Sequence, residues 1–577
     1  MTGSSVPPTE PLAEPLAEPL AGPLAGPLTE PLTEPLTEPL TEPLTEPLTE
    51  PLTTSWWPAE RNVPLSGHTV GSLLAERAGQ APDALAVVAT DHAGQPVRYT
   101  YAELYEAAQR VAAGLLELAE PGEFVALWAP NLAEWSLVEY GAALAGVVLV
   151  ALNPVLRPAE LRYALEHSGA VALLHADRGR DYDMAAVAAE VAPDCPALRH
   201  VVSLAEPDRY TAPPRAELPA IDQLSPVMLQ YTSGTTGTPK GVLLHHRALV
   251  NVAALTMVAA ELPAGAVCLN PLPTFHTASC VVGTLGPLWL GGTMVLMSRF
   301  EPVAALAAIR AEGVGVLMSV PTVLGAVVEA ARADSAPAPE LAAVLVGGSN
   351  VPGSMIEMVE RLFGASVHNL FGQTELGPML TMTRRNDTRA DLVGTVGRPI
   401  PHTECRIADP ETGETLPLGE SGEICARGFQ QLIGYYRDPE ATARAVDADG
   451  WLRLGDLGSM DSRGLIRLTG RLKDLIIRGG ENIAPAEIEN RLVTHPAVLD
   501  ATVLGLPDEH WGEVVVAAVR LREPLADPGA ELIEYARAGL AKYKVPARVV
   551  VLDEFPMTPS GKVQKFRLRE QLLAEDA

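Results

Sequence analysis

Cysteine is scarce in this sequence and shows no regular spacing. The five cysteines stand far apart and form no Cys-x-x-Cys pair: Cys195, Cys268, Cys280, Cys405 and Cys425. An odd, scattered set is not typical of a disulfide framework or of a thiolate metal site. We therefore expect free thiols in a reducing compartment and predict a cytoplasmic location.

Positive charge is also in short supply. The 577 residues include 42 Lys and Arg against 71 Asp and Glu, which gives a formal net charge of −29. No basic stripe is present to neutralise phosphate groups, so the sequence argues against a nucleic-acid partner. Nine of the acidic residues are glutamates within residues 1–54, a segment that contains no Lys or Arg. The negative charge is therefore partly a property of the N-terminal segment.

Long apolar runs are missing as well. The longest, Tyr140–Leu152, is ended by Asn153 and Pro154 and is too short to span a bilayer. The N-terminus lacks the basic segment followed by an apolar one that marks a signal peptide. These absences predict a soluble protein without a membrane span.

What the sequence does contain, near its N-terminus, is a short repeat. Residues 11–54 are eleven tandem units of Pro-Leu, then Ala or Thr, then mostly Glu or Gly. A proline at every fourth position removes one helical hydrogen bond per turn and cannot donate to a β-ladder. We expect residues 1–54 to form a disordered tail, partly in polyproline-II conformation. A docking arm that presents its leucines to a partner is the alternative.

From Trp56 onward the pattern becomes globular, and the length of the chain predicts more than one domain. Tyr101–Leu118 has the apolar period of a helix, whereas Phe124–Trp128 has the composition of a buried strand. Alternation of such segments predicts an α/β fold, with a large body of doubly wound sheets over residues 55–472. Residues 473–577 are predicted to form a smaller α+β lid domain beyond a charged junction.

A stretch of small and hydroxylated residues, Tyr231–Val242, follows the apolar segment Pro226–Gln230. Its glycines let backbone N–H groups approach an anion, while its hydroxyls and Lys240 add donors and positive charge. It is not a Walker A loop, because Pro239 and Gly241 flank the lysine where that motif has Gly and Ser or Thr. The predicted phosphate-binding residues are Thr232, Ser233, Gly234, Thr235, Thr236, Gly237 and Lys240.

This stretch, Tyr-Thr-Ser-Gly-Thr-Thr-Gly-Thr-Pro-Lys-Gly, resembles the phosphate-loop signature of the adenylate-forming superfamily. That superfamily includes acyl-CoA synthetases, firefly luciferase and the adenylation domains of peptide synthetases. With the motifs below, the resemblance extends from about Thr69 to about Gln571 and is closest to fatty-acyl-CoA synthetases. It implies ATP, Mg²⁺ and coenzyme A as ligands and a lid that rotates between two active orientations.

The segment Phe-Gly-Gln-Thr-Glu, residues 371–375, follows the predicted strand Ala365–Leu370. A carboxylate in this place lies at the carboxyl end of a strand, where open α/β sheets bind their ligands. The resemblance implies that Glu375 holds Mg²⁺ on the ATP phosphates, with Thr232 as a second candidate ligand. It also implies that Thr374 contacts the α-phosphate.

The resemblance assigns the adenine site to the same region. Phe371, where the family commonly has Tyr, would stack on adenine, and Asn369 would hydrogen-bond its amino group. The Gly-Gly-Ser segment after the predicted strand Leu341–Val346 resembles the segment that lines adenine and the acyl pocket. Further candidates for nucleotide binding are Gly348, Ser349, Gly372 and Gln373.

Gly-Trp-Leu-Arg-Leu-Gly-Asp, residues 450–456, resembles the family's Trp-x-x-Thr-Gly-Asp, with Leu454 in the place of Thr. A carboxylate can accept from both ribose hydroxyls, which is the role implied for Asp456. Arg471 would add a second ribose contact, and Lys473 stands where the lid of the family's members hinges on the body.

Two further motifs lie in the predicted lid. Arg478–Ile483 resembles the segment that closes the pantetheine tunnel, and Gly479 and Gly480 leave room there for a thin ligand. Pro-Ser-Gly-Lys, ending at Lys562, matches the family's catalytic lysine motif. Adenylation brings two anions together, so a mobile ammonium that bridges both would stabilise charge on the pentavalent phosphorus.

The segment Pro271–His276 resembles the family's Pro-Leu-x-x-His, in which an aromatic side chain borders the acyl tunnel. His276 is a candidate gate, and a half-buried structural histidine is the alternative. Relatives that activate amino acids carry Asp near this place, but Thr274–Val281 contains no acidic residue. We therefore expect an uncharged, hydrophobic acid as substrate, with medium-chain or alicyclic acids favoured.

Together these residues predict an ATP- and Mg²⁺-dependent acyl-CoA synthetase, a ligase that forms an acyl-adenylate and then a CoA thioester. One alternative is an acyl-AMP ligase that loads a carrier protein in secondary metabolism. Another is a catalytically silent nucleotide-binding scaffold, with the repeat as its interaction arm. The sequence leaves the oligomeric state open, with a homodimer as one option.

Overall fold

The computed structural model describes most of the chain beyond the N-terminal repeat. It covers residues 51–61, 63–179, 182–232, 239–348, 351–478, 481–508, 510–557 and 563–575, with only the backbone at 481, 482 and 575. No helix in these ranges is long and apolar enough to cross a membrane.

The body consists of strands and helices up to Arg471. Its strands are β1 (Trp56–Trp57), β2 (Leu85–Thr90), β3 (Pro96–Thr100), β4 (Phe124–Trp128), β5 (Val148–Leu152), β6 (Ala172–His175), β7 (His200–Ser203), β8 (Pro226–Thr232), β9 (Lys240–His245), β10 (Val267–Asn270), β11 (Thr293–Leu296), β12 (Val316–Ser319), β13 (Ala343–Gly347), β14 (Ser366–Phe371), β15 (Thr381–Met382), β16 (Arg398–Pro399), β17 (Thr403–Ala408), β18 (Gly422–Gly428), β19 (Gly434–Tyr435), β20 (Leu452–Met460) and β21 (Ile466–Arg471). Its helices are α1 (Val70–Gln80), α2 (Tyr101–Leu118), α3 (Ala133–Ala145), α4 (Pro158–Ser168), α5 (Met184–Val191), α6 (His246–Ala259), α7 (Thr284–Leu290), α8 (Pro302–Glu312), α9 (Pro321–Ala333), α10 (Gly353–Phe363), α11 (Arg389–Gly394) and α12 (Pro439–Ala445).

Two large sheets form most of the body. One has the order β16-β15-β14-β13-β12-β10-β11-β2-β3 and the other the order β19-β9-β8-β5-β4-β6-β7. Their central strands are parallel, as in the pairs β13–β14 and β5–β8, and helices connect them. Parallel strands require such crossovers, and helices then cover the apolar faces of the sheets. The predicted doubly wound α/β architecture is confirmed for this part of the chain.

The last part of the body departs from the prediction. Residues 403–471 do not continue the alternation of strand and helix but contribute to an antiparallel sheet of order β1-β17-β18-β20-β21. β20 and β21 are joined by a tight turn in which Gly464 has a φ of +76°. Such short connections suit antiparallel neighbours, because a parallel pair needs a crossover of a dozen or more residues.

The lid is a separate α+β unit with a mainly antiparallel sheet, after the short turn Leu472–Asp474. Its elements are β22 (Ile476–Arg478), β23 (Glu481–Ile483), α13 (Pro485–Val493), β24 (Val498–Asp508), β25 (Gly512–Leu521), α14 (Pro528–Arg537), β26 (Arg548–Val551) and α15 (Lys565–Glu575). Ile476, Ile488 and Val515 belong to a buried cluster made of lid residues alone. The predicted boundary at 472–473 therefore lies between two hydrophobic cores.

The predicted end of the tail needs a correction. The last repeat unit, residues 51–54, contacts the body: the N–H of Leu52 donates to the carbonyl of Ser462 at 2.9 Å. Directly after it, β1 pairs with β17, and the Trp57 side chain is buried against Gly464. The four-residue period gave no sign of this contact, because it depends on a strand that lies 350 residues further along the chain. The body thus begins before residue 55.

Two truncations separate the tail from this anchor. Deletion of residues 1–50 should leave turnover and melting temperature nearly unchanged, because a proline-rich repeat buries too little surface to order itself. Deletion of residues 1–57 should lower the melting temperature by several degrees, since loss of a buried Trp costs about 3–5 kcal/mol. Thermal unfolding of both proteins checks this. Equal melting temperatures for the two would contradict the anchoring role of Trp57.

Candidate active site

The predicted phosphate loop starts and ends at a paired position. Thr232 closes β8, Lys240 opens β9, and the two residues are direct partners in the antiparallel β8–β9 ladder. The hairpin therefore fixes the lysine beside the end of the buried strand, although residues 233–238 between them lie outside the described ranges. Pro239 is held from the side by the Tyr163 hydroxyl, which donates to its carbonyl at 2.8 Å.

Glu375, Tyr435 and Lys240 form a connected group. The Tyr435 hydroxyl donates to Glu375 Oε1 at 2.9 Å, and the Lys240 ammonium lies 4.6 Å from the centre of the Tyr435 ring. Burial raises the pKa of the Glu375 carboxyl, while the Tyr435 hydrogen bond and the Lys240 charge partly oppose that rise. The prediction that Glu375 and the loop lysine share one site fits this geometry.

Tyr435 was missed by the sequence analysis. It lies in no motif, and its position depends on the pairing of β19 with β9, in which Tyr435 is the partner of Val242. Only tertiary structure brings this hydroxyl to Glu375, 60 residues away in sequence. An aromatic residue beside a glycine is too common a pattern to have indicated it.

The donor set around Glu375 fits a magnesium ion that arrives with phosphates. Among the described residues, no three His, Cys, Asp or Glu side chains come together as a cage for a metal. Mg²⁺ is usually bound by one or two carboxylates together with waters and substrate phosphates, so a single carboxylate is the expected protein contribution. Glu375 supplies such a hard oxygen beside the end of the phosphate loop.

Asn369 and Phe371 lie near the carboxyl end of β14. The Asn369 side-chain amide donates to the Leu392 carbonyl at 2.5 Å, whereas its Oδ1 is buried without a hydrogen-bond partner in the described structure. A buried acceptor without a partner costs about 1–3 kcal/mol, so this oxygen is suited to an amino donor from a ligand. The Phe371 ring is only partly buried, which leaves surface for a planar group.

Glycine is required at two of the predicted nucleotide positions. A Cβ on Gly372 would lie 2.1 Å from the Pro378 carbonyl oxygen, so no side chain fits there. Gly348 has a φ of +88°, in the left-handed region that favours glycine. Gln373 and Thr374 follow Gly372 at the start of a short turn and are partly exposed, as contact with a ligand needs.

The two predicted ribose ligands face each other. Asp456 on β20 is the partner of Arg471 on β21, and Arg471 Nε lies 2.9 Å from Asp456 Oδ1. The Asp456 charge also contributes to the raised pKa of the Glu375 carboxyl, so the two carboxylates are near each other. Trp451 of the same motif is instead structural, with the guanidinium groups of Arg406 and Arg427 against its ring at 4.4 and 4.7 Å.

The segment predicted to border the acyl pocket, residues 271–283, is called the acyl wall below. It is a turn followed by a helix. The His276 carbonyl accepts the N–H groups of Ser279 and Cys280, and a π-helical turn then runs from Ala278 to Gly283 into α7. The His276 ring is half-buried and lies against that of Phe275, with 4.1 Å between ring centres. These contacts fit both the gate and the structural interpretation of His276.

Asn131 holds the acyl wall in place by hydrogen bonds, and the sequence analysis did not predict this role. Its Oδ1 accepts from the backbone N–H and the hydroxyl of Thr274, and its Nδ2 donates to the Leu272 carbonyl at 2.8 Å. The buried residue precedes α3, so this helix is tied to the predicted acyl segment. Nothing in the sequence pattern distinguishes Asn131 from an ordinary loop asparagine.

The other predicted site residues lie outside the described ranges. They are Ser233, Gly234, Thr235, Thr236, Gly237, Ser349, Gly479, Gly480 and Lys562.

Comparison with known proteins gives matches over most of the chain. The AMP-binding enzyme family matches residues 74–436, and the AMP-binding enzyme C-terminal domain matches residues 487–562. The putative acyl-CoA synthetase YngI of Bacillus subtilis (strain 168) is 36% identical over 537 residues, covering 88% of this chain and 97% of YngI. The mitochondrial medium-chain acyl-CoA ligase ACSF2 of Bos taurus is 33% identical over 546 residues, covering 88% of each chain.

Among solved structures, ATP-bound MatB from Rhodopseudomonas palustris has a TM-score of 0.77 at 28% identity, covering 87% of this chain and 99% of MatB. The fold, the two matched domains and the relatives agree with the motifs found in the sequence. The chain belongs to the AMP-binding enzyme family, within the adenylate-forming superfamily.

Proposed function

We propose that this protein is an ATP-dependent acyl-CoA synthetase that activates a hydrophobic carboxylic acid. The observation that carries the proposal is the convergence of Lys240, Glu375 and the Asp456–Arg471 pair at one place in the body. That set provides for phosphate, metal and ribose in a chain of the AMP-binding enzyme family. ATP, Mg²⁺ and coenzyme A are the ligands that the activity requires.

In the first half-reaction, a carboxylate oxygen of the acid attacks the α-phosphorus of ATP, and the bond to pyrophosphate breaks. Lys240 and the loop from Thr232 would hold the phosphates, and Thr374 would contact the α-phosphate. Glu375 would hold the magnesium ion, which neutralises charge on the phosphate oxygens when it is bound. Lys562 from the lid would bridge the two reacting anions, so that the repulsion between them falls.

In the nucleotide site, Asn369 Oδ1 would accept from the adenine amino group and Phe371 would stack on the ring. Asp456 would accept from the ribose hydroxyls, and Arg471 would shift from its carboxylate partner toward the ribose. These roles use a buried acceptor and a buried carboxylate that the fold already positions. Orientation by such fixed groups lowers the entropic cost of bringing the reactants together.

In the second half-reaction, the thiolate of coenzyme A attacks the carbonyl carbon of the acyl-adenylate, and the carbon–oxygen bond to AMP breaks. We propose that the lid rotates about the turn Leu472–Asp474 between the two steps. That rotation would bring Gly479 and Gly480 to the pantetheine arm in place of Lys562.

A cytoplasmic location is supported by the five cysteines, all of which are buried free thiols.

The substrate should be an uncharged, hydrophobic acid rather than an amino acid. Cys280, Val281 and Val282 are buried on the π-helical turn, and residues 271–283 contain no acidic side chain. An amino acid would bring an ammonium without a partner into this wall, at a cost of several kcal/mol. The relative named as a medium-chain acyl-CoA ligase supports acids of that size.

Pyrophosphate release across a panel of acids, with and without coenzyme A, tests the proposed function. We expect octanoate or a cyclic acid of similar size, with coenzyme A, to give turnover well above that with free leucine. Greater stimulation by leucine than by octanoate would overturn the substrate assignment. Turnover that needs a holo carrier protein instead of coenzyme A would identify an acyl-AMP ligase, and no release with any acid would identify a silent scaffold.

A further inference from the structure

One face of α3 gathers buried polar atoms that have no hydrogen-bond partner. Trp135, Ser136 and Glu139 are 0%, 1% and 3% exposed. In the described structure, the Trp135 indole N–H, the Ser136 hydroxyl and both carboxyl oxygens of Glu139 are without a partner. Successive helical residues are about 100° apart around the axis, so these three positions fall within one arc of about that width. Their side chains therefore leave the helix on the same side.

Such a group is unusual in a protein interior. Buried polar atoms are almost always hydrogen-bonded, because an unpaired one retains its full cost of desolvation. Burial also raises the pKa of the Glu139 carboxyl well above its usual range, which favours the protonated form, and a protonated carboxyl can both donate and accept. An indole donor, a hydroxyl and a neutral carboxyl together can satisfy a polar group that carries both a donor and an acceptor.

The polar face of α3 lies next to the acyl wall. Tyr140, next to Glu139 on the helix, lines a small cavity together with Thr284 and Pro287 of α7. The pKa of the Cys280 thiol is raised first by burial and then by the neighbouring Glu139 carboxyl. Cys280 stands in the π-helical turn Ala278–Gly283, and such turns are frequent at functional sites. Glu139 therefore lies beside the turn that carries the predicted acyl-pocket residues.

Gln230 connects this polar group with the nucleotide site. Its side-chain amide lies 3.2 Å from Cys280 Sγ, and its other contact is with the sulfur of Met228. Sulfur is a weak acceptor, so the amide donors keep capacity for a better partner. Gln230 precedes Thr232 by two positions on β8, a separation of about 7 Å along the strand. Gln230 thus links the surroundings of Cys280 to Thr232, the first residue of the phosphate loop.

We propose that Glu139, with Ser136 and Trp135, forms a polar end to the acyl pocket and selects acids with a hydroxyl or carbonyl group remote from the carboxylate. The pocket then has apolar sides, from Val281 and Val282, and a hydrogen-bonding end. The inference rests on the proposed function, since it deepens the substrate class of the same site. A site built to hydrogen-bond a substrate hydroxyl discriminates strongly against the analogue that lacks it.

The test compares straight-chain acids with their ω-hydroxy analogues at six, eight and ten carbons, using kcat/KM from pyrophosphate release at saturating ATP and coenzyme A. The readout is the ratio of hydroxy acid to plain acid at each length. In the wild-type enzyme this ratio should peak at one chain length. Glu139→Met, similar in volume but without hydrogen-bonding atoms, should lower that peak about tenfold or more. Glu139→Gln should keep most of it, and Ser136→Ala and Trp135→Phe should lower it less.

Equal ratios for the wild-type enzyme and Glu139→Met at every length would overturn the inference and leave the cluster to ordered water alone. Failure of the wild-type enzyme with every acid of both series would be a failure of the proposed function, and it is read separately in the same assay. In that event, thermal shifts with hydroxy and plain acids test the polar end directly. A larger shift with the hydroxy acid in the wild-type protein, lost in Glu139→Met, supports the inference, and equal shifts overturn it.

Discussion

Lys562→Ala is expected to abolish adenylate formation while leaving thioester formation from a supplied acyl-adenylate largely intact. The lysine would stabilise charge only at the pentavalent phosphorus of the first half-reaction. By analogy with other fixed charge stabilisers, its loss should cost ~3–4 kcal/mol, or about 10²–10³-fold in rate. Pyrophosphate–ATP exchange measures the first step, and formation of octanoyl-CoA from synthetic octanoyl-AMP measures the second.

Lys565→Ala provides the matched control for this variant. The Lys565 ammonium is held by Glu489 at 2.8 Å and by the Val503 carbonyl, so it has a structural partner within the lid. Its loss should lower the stability of the protein modestly. It should change the rates of both half-reactions by the same factor. Equal loss of the two half-reactions in Lys562→Ala would show that the lysine supports the lid and not the first chemical step.

Glu375→Gln is expected to lower kcat/KM for MgATP by about two orders of magnitude, or ~3 kcal/mol. The change keeps the size of the side chain and its contact with Tyr435, but it removes the negative oxygen that would hold the metal. Activity against magnesium concentration at fixed ATP checks this, since the variant should need far more metal. An unchanged magnesium dependence would contradict the role of Glu375 as a ligand.

Tyr435→Phe separates the support of this carboxylate from the carboxylate itself. The Tyr435 hydrogen bond lowers the pKa of Glu375, which burial raises, so its removal should raise that pKa further. Because only the ionised carboxylate binds metal, activity in the variant should fall at a higher pH as the solution is acidified. The loss near neutral pH should be about tenfold, as for a hydrogen bond to a charged group. If the activity of the variant fell at the same pH as that of the wild-type enzyme, this coupling between Tyr435 and Glu375 would be contradicted.

Local sequence signals were sufficient for several elements. α2 begins at Tyr101 as predicted, because Thr100 and Glu103 form reciprocal capping hydrogen bonds at its start. α13 begins with proline in its first turn, at Pro485. α14 begins at Pro528, where the Asp527 side chain accepts from the N–H of Ala530. In each of these helices a capping residue or a proline thus marks the start.

Tertiary contacts decided what the sequence pattern did not indicate. The antiparallel strands β17 to β21 resemble buried strands of any sheet, and only their short connections distinguish them. Tyr435 reaches Glu375 because β19 pairs with β9, and Asn131 reaches Thr274 across more than a hundred residues of chain. The orphaned oxygen of Asn369 could be recognised only once its neighbours were known. Motifs therefore identified ligand positions, whereas their supporting residues required the structure.

The central claim is that the acid attacks the α-phosphorus of ATP and that the thiol then releases AMP. Octanoate labelled with ¹⁸O in both carboxylate oxygens tests it directly, with mass spectrometry of the nucleotide product formed in the presence of coenzyme A. The carboxylate oxygen that bonds to phosphorus stays with it when the carbon–oxygen bond breaks. The account therefore predicts AMP that carries one ¹⁸O, together with unlabelled pyrophosphate. Unlabelled AMP, or ADP with the label in inorganic phosphate, would contradict it.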